Sequence, residues 1–490
     1  MALLCLLPLL YVLGDTVGVG WDRAYALIVR PRVGELLSST VRLLVGGIVT
    51  TAVLGTGLAW LVTRTSLPGR RAWLVALSVP LAVPAFVTSF GWVSLTPRVQ
   101  SYAGALLVVT LAYFPLVLLP VAAALRGLDP ALEETARSLG HGGGSTFLRV
   151  VLPQLRPALL GGGLLVGLHL LSEFGALQLL RFPTFTTAIY DQYESSFSGP
   201  AASTLATVLL LLCSVLLLGE LRLRGLRRYA RVGTGATRLL EPVHLGRATG
   251  PALLAVTAVV VLALGVPLGS LVRWLVRGAA TSVPLEQVGA AALTSLGLGL
   301  AAAALTTLLA LPVALLAGRY RGPLTSAVEG STYVANALPG IVVALALVSV
   351  ALRFVAPLYQ TTVLLLAAYA VLYLPRAVVS LRAAVAQAPP GLEEVAHSLG
   401  AGSWSTLRRV TLPLLARGLG AGAALVFLGV VTELTATLLL APLGTETLAT
   451  RFWTETGQIA YAAAAPYAAL MVAVSVPATL LLTRDARRAV

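Results

Sequence analysis

What most constrains this sequence is where its apolar residues fall. They gather in blocks over about 1–19, 36–62, 72–95, 101–125, 157–180 and 201–220, and again over 251–274, 286–317, 327–352, 360–384, 418–440 and 460–483. A helix needs roughly 20 such residues to cross the hydrocarbon core of a bilayer, so the pattern predicts twelve spans, six in each half. Only 11% of the 490 residues are charged, against roughly 25% in a soluble domain. Too few charges remain to cover a water-facing surface, which excludes soluble, disordered and fibrous classes. The predicted fold class is all-α and polytopic. Gly and Pro inside the spans are tolerable because neighbouring helices re-satisfy freed backbone groups. The first block is short, with Gly14 and Asp15 at its end, and lacks the basic start of a signal peptide. It reads as a first span whose beginning lies upstream of this start.

The basic residues orient the spans. All 34 are Arg, so neither a P-loop lysine nor a Schiff-base lysine can exist here. Segments 63–71, 126–156, 221–250, 318–326, 382–417 and 484–490 lie on one side and hold 23 of the 34. The richer side is expected to be cytoplasmic, together with both termini. The net charge of +15 is thereby explained by membrane orientation rather than by nucleic acid. Cys5 and Cys213 stand alone, and His141, His169, His244 and His397 are too scattered for a metal site. Trp60, Trp73, Trp92 and Trp274 sit near span ends and read as interface anchors.

The chain repeats itself at an offset of 260. Pro130–Leu155 and Pro390–Leu415 are identical at 16 of 26 positions without a gap, and Tyr113, Pro115 and Glu173 match Tyr373, Pro375 and Glu433. Six spans per half is an even number, so both halves point the same way. That predicts two parallel six-helix repeats, 1–235 and 236–490, related by a pseudo-two-fold along the membrane normal. The repeated segments, about 126–156 and 386–416, are polar. In the first, Asp129 can cap a helix starting at Pro130. Leu132, Ala136 and Leu139 are expected on one face, with Glu133, Glu134 and Arg137 elsewhere. Gly140 can supply a left-handed stop, and a second short helix from Ser145 or Thr146 should end near Pro153. The second copy has Leu392, Ala396, Leu399 and Gly400 but no Asp cap. A short surface helix with an apolar stripe suits docking into a partner's groove.

These segments resemble the EAA loop of ATP-binding cassette importer permeases: Glu134-Thr135-Ala136, Gly140 and Leu152-Pro153, then Glu394-Val395-Ala396, Gly400 and Leu412-Pro413. Two matches in register imply a fused, two-repeat permease of the binding-protein-dependent type. The resemblance implies that Glu133, Glu134, Ala136, Gly140, Leu152 and Pro153, with Glu393, Glu394, Ala396, Gly400, Leu412 and Pro413, couple to a separate ATPase dimer on the cytoplasmic side. ATP and Mg would be held by that partner, and this chain would bind no cofactor and carry no catalytic residue. A periplasmic or lipoprotein substrate-binding protein would deliver cargo to this multi-pass protein of the bacterial inner membrane. An ion-coupled secondary transporter or a channel has no reason to repeat an ATPase-docking element twice.

Within that class the chain is similar to the iron(III) transport permeases. Phe182-Pro183-Thr184-Phe185-Thr186-Thr187-Ala188-Ile189-Tyr190 resembles one stretch of that family, and Glu433–Leu440 with Thr447–Arg451 resembles another. Thr432 and Thr435 depart from the family's Lys and Pro. Fused permeases for thiamine or phosphonates share the architecture, and polyamine importers belong to the same class. Glu173 sits about two-thirds along the fifth span, and Glu433 is its repeat mate. Burying such charges is costly, so both are candidate path residues, with His169 four residues before Glu173 and Tyr190 beyond. Position 429, the mate of His169, is Gly, so no symmetric His site exists.

Overall fold

The computed structural model describes residues 2–18, 20–194, 199–224, 242–278, 285–320, 322–389 and 391–482. Most of the Arg-rich connector 221–250, the Arg cluster 484–490 and Pro390 lie outside the described residues. Among the described residues there is no strand, only an isolated bridge between Thr65 and Val243. Six helices are long and apolar enough to cross a membrane: Pro31–Arg64, Ala201–Leu223, Gly246–Gly278, Leu285–Arg319, Thr362–Gln387 and Ser403–Val431. Three bent pairs of apolar helices raise that number to nine if each pair is one span. The remaining three of the twelve expected blocks hold only the shorter apolar helices Cys5–Gly18, Gly340–Phe354 and Tyr461–Pro477.

The bends have an identifiable cause. Gly143–Gln154 and Arg156–Ser172 meet at 67°, whereas the second repeat runs from Ser403 to Val431 as one span. The first copy carries Pro157 as well as Pro153; the second has Arg417 at the corresponding position. A second proline removes another backbone donor and disfavours the helical conformation of the residue before it. Tyr102–Tyr113 and Pro115–Gly127 also meet at an angle, 44°, about Phe114, and Pro120 lies inside the second of these helices. The second repeat carries Pro375 alone inside the continuous Thr362–Gln387 helix.

The chain forms two compact units. One comprises 30–188 and 209–274, where Pro31–Arg64 packs against Pro115–Gly127, Arg156–Ser172 and Tyr102–Tyr113. The other comprises 1–29, 189–208 and 275–478, where Leu285–Arg319, Thr362–Gln387 and Leu412–Val431 pack on one another. The same trio of helices thus forms the centre of each unit. The leading helix of each repeat packs elsewhere: Ala2–Gly18 lies against Pro323–Asn336 and Gly340–Phe354, and Thr249–Val260 against Arg70–Ser78. The sequence repeats and the packing units are therefore different partitions of the chain.

Candidate functional site

The two repeated segments fold alike. In the first, the Asp129 carboxylate accepts from the Ala131 amide at 3.0 Å and caps Pro130–Ser138. Gly140 takes φ +85° and Gly400 φ +83°. The Gly140 and His141 amides donate to the Arg137 and Ala136 carbonyls, and the Gly400 and Ala401 amides to His397 and Ala396. This is the double-bonded helix stop that wants glycine at its left-handed position. The next helix starts at Gly143 rather than at Ser145 or Thr146 and ends at Gln154, beside Pro153, whereas in the second copy it continues through Pro413 to Val431. It widens into a π-turn over Phe147–Val151, mirrored by Leu407–Thr411. Proline lacks an N–H and clashes with the carbonyl four residues back. A π-turn shifts the register just before Pro153 and Pro413, which lets both prolines stay helical.

The faces of the first helix differ from the expected arrangement. Glu133 and Ala136 are buried, while Leu132 and Leu139 are exposed, Leu139 at 75%. The helix is anchored by charge rather than by its leucines. Glu133 Oε1 lies 3.1 Å from Arg64 Nη2, the last residue of the long Pro31–Arg64 helix, and Oε2 lies 3.9 Å from Arg137. In the second copy, Arg319, the last residue of Leu285–Arg319, donates to Glu393 Oε1 at 2.9 Å. Thr411 donates to the same oxygen at 2.9 Å. The outward surfaces are then apolar, carrying Leu132 and Leu139 in one copy and Leu392, Val395, Leu399 and Trp404 in the other. Glu134 and Glu394 are exposed beside them. Arg64 and Arg319 had no sequence signal because the long helices are out of register with the repeat offset.

Of the candidate path residues, Glu173 and Glu433 sit at chain breaks, whereas His169 and Tyr190 lie within helices. The helix before Glu173 ends at Ser172, and that before Glu433 ends at Val431. Glu173 Oε1 accepts from the Ala176 amide at 2.9 Å, and Glu433 Oε1 from the Ala436 amide at 2.9 Å. Each carboxylate thereby satisfies a free amide at the start of the next short helix, Gly175–Leu179 or Thr435–Leu440. The other oxygen of each takes a tyrosine hydroxyl, Tyr113 for Glu173 and Tyr373 for Glu433, the latter at 2.8 Å. These tyrosines are repeat mates, a signal available in the sequence. His169 is tied to the Leu165 carbonyl at 2.8 Å, and its ring lies 5.5 Å from that of Tyr113. A Cβ on Gly429 would meet the Tyr373 ring at 2.4 Å, so glycine stands there because the tyrosine rests on the helix.

The threonine-rich stretches after each break also correspond. The Thr184 amide donates to Thr187 and the Thr447 amide to Thr450, each at 2.9 Å. The next amides, of Phe185 and Leu448, donate to Thr40 and Ser295 on the long helices at 3.3 and 2.8 Å. Thr186 and Thr437 hydroxyls close onto the carbonyls of Glu173 and Glu433. Tyr190, in the unit that holds Glu433, donates to Glu194 and accepts from the Trp453 indole; burial, then Glu194, raises its phenol above the usual range. Among the described residues no three His, Cys, Asp or Glu come together as a metal site.

Comparison with known proteins bears on this arrangement. The family described as "Binding-protein-dependent transport system inner membrane component" matches residues 27–223 and 310–489. The Fe(3+)-transport system permease protein FbpB 2 of Haemophilus influenzae is 40% identical over 487 residues, 98% of this chain and 95% of that protein. The sulfate transport system permease protein CysT of Escherichia coli is 29% identical over 228 residues, 42% of this chain and 82% of its own. The sulfate permease CysW of the same organism is 27% identical over 237 residues, 43% of this chain and 81% of its own.

Proposed function

This chain belongs to the family of inner membrane components of binding-protein-dependent transport systems, and from that premise we propose that it carries iron(III) inward, driven by a separate ATPase dimer. It is a multi-pass permease of the ATP-binding cassette importer class. The observation that carries the coupling part is the matched pair of anchored segments, each with an apolar outer face and a carboxylate tied to the last arginine of a long span, buried in the first copy and part-buried in the second. The iron part is supported by the 40% identity with an Fe(3+) permease along nearly the whole chain. A substrate-binding protein on the outer side would release the cargo. Both termini and both coupling segments would face the cytoplasm, where ATP and Mg are held by the partner.

The geometry supports a mechanical division of labour. A partner that grips the exposed leucines moves the short helices. The Arg64–Glu133 and Arg319–Glu393 pairs pass that movement to the ends of the long spans, since each pair joins one element to the other. Glu173 and Glu433 lie where spans break, and their oxygens suit a hard cation. Weak, replaceable oxygen contacts fit conduction, because a tight ligand set would trap the ion.

The decisive experiment uses Glu173→Gln and Glu433→Gln. Glutamine keeps an oxygen for the Ala176 or Ala436 amide but removes the charge, so it separates capping from cargo contact. Radioactive iron uptake should slow in each variant and nearly stop in the double, with ATPase binding intact. Unchanged uptake would make both residues purely structural. Uptake of thiamine or a phosphonate in place of iron by the parent would discard the substrate and leave the class standing. Single Cys residues at Ser145 and Ser405 should react with an impermeant thiol reagent only in opened cells.

A further inference from the structure

Beneath the first coupling segment lies a cavity of about 820 Å³, formed within one packing unit. Its walls are mostly apolar, among them Val53, Gly57, Trp60 and Phe147. Its polar end is made by Arg64, Glu133 and Arg137, and Thr56 lines it about two helical turns away, between Val53 and Gly57. Thr56 is 9% exposed, and its hydroxyl lacks a hydrogen-bond partner among the described residues. The same holds for Arg64 Nη2 and Glu133 Oε1, which meet as an ion pair without an aligned hydrogen bond. Buried polar atoms are ordinarily hydrogen-bonded, so the unpartnered Thr56 hydroxyl along the cavity and the unaligned Arg64–Glu133 pair at its end point to a missing polar ligand. Two guanidinium groups against one carboxylate leave one positive charge in excess, which selects an anion.

The rest of the cavity selects an apolar chain on that anion. Val53 is 71% exposed and continues the outward stripe of Val45 and Val49 at 55% and 54%. On a membrane span such a stripe meets acyl chains, so the cavity adjoins the hydrocarbon at Val53 and ends in charge near the span's last residue, Arg64. We propose that it holds one anionic phospholipid from the adjoining leaflet, with an acyl chain along Val53, Gly57 and Phe147 and the phosphate against Arg64 and Arg137. Basic pockets beside spans are suited to anionic headgroups. The occupant would touch both members of the Arg64–Glu133 anchor, so lipid would become part of the link between coupling segment and long span.

The test uses the full-length permease in mild detergent, read by native mass spectrometry during titration with phosphatidylglycerol or phosphatidylcholine. The parent should retain one phosphatidylglycerol per chain at concentrations where phosphatidylcholine is lost. A Cβ at Gly57 would meet nothing within 4 Å, so Gly57→Phe should fill the cavity without disturbing the fold and abolish that retention. Arg137→Gln should cut the preference for phosphatidylglycerol about tenfold while an acyl chain still enters. If Gly57→Phe is not monodisperse, Val53→Trp closes the mouth and is read in the same way. Equal retention by parent and filled variant, equal retention of both lipids by the parent, or displacement of lipid by inorganic phosphate would overturn the proposal.

Discussion

In the first coupling segment Glu133 is held between Arg64 and Arg137; in the second, Glu393 is held between Arg319 and Thr411. The positions that supply the second partner change together. Where the first copy has Arg137 and Val151, the second has His397 and Thr411. Valine offers no hydroxyl, and there the neighbouring turn of the helix carries an arginine. Threonine offers one, and there the helix carries a histidine that turns to the Ala401 carbonyl instead. The two solutions also differ in exposure: the Arg64 and Glu133 side chains are 10% and 11% exposed, those of Arg319 and Glu393 17% and 25%. One backbone thus supports a drier, charge-rich anchor beside a cavity and a wetter, hydroxyl-assisted one.

The comparison predicts unequal costs. Glu133→Ala leaves Arg64 buried without its counter-charge, a loss of roughly 3–5 kcal/mol for a buried pair. Glu393→Ala leaves Arg319 nearer water and should fall toward the ~1 kcal/mol of accessible pairs. Thermal unfolding of the purified variants measures both, and ATPase retention should follow the same order. Equal losses would break the distinction between the two anchors. Gly140→Val and Gly400→Val should instead be alike, since both glycines are left-handed, a conformation that costs other residues roughly 1–2 kcal/mol. The double variant should lose uptake while remaining in the membrane. Asp129→Ala should cost about 1 kcal/mol, as lost helix caps do, with local opening confined to the first segment by hydrogen exchange. The second copy has no equivalent to lose, because its position 389 is Pro.

Much of this was legible before any coordinates. Apolar blocks set the spans, Asp129 caps the first short helix, and Gly140 and Gly400 take the left-handed stops expected of them. What stayed hidden were relations between segments whose repeat offsets differ. Arg64 and Arg319 both terminate long spans, yet a gapless alignment does not pair them, so the anchors had no sequence signature. The stripe of Leu132, Ala136 and Leu139 reads in the sequence as one face for docking, and the structure splits it: the buried ion pair turns Glu133 and Ala136 inward and leaves the two leucines exposed. Glu173 and Glu433 looked like mid-span charges because apolar runs continue past them, which hides the breaks where each carboxylate caps the next short helix.

The finest test exchanges the second partners. Arg137 is 54% exposed and 3.9 Å from Glu133, so Arg137→His alone should cost only ~0.2–1 kcal/mol. Val151 is 4% exposed, and Val151→Thr alone places a hydroxyl in that buried position. If the hydroxyl reaches Glu133 as Thr411 reaches Glu393, it adds a charge-assisted bond that Arg137 already partly supplies. The two substitutions should then be non-additive: with both present, the first segment acquires the second segment's solution and recovers most of what Arg137→His removed. A double-mutant cycle on unfolding free energy reads this as a favourable coupling of at least ~0.5 kcal/mol, the lower end for residues sharing a network. Strict additivity would mean that Arg137 and Val151 differ from their mates independently. The two anchors would then share only a carboxylate at the same place in the repeat and the arginine at the end of the long span.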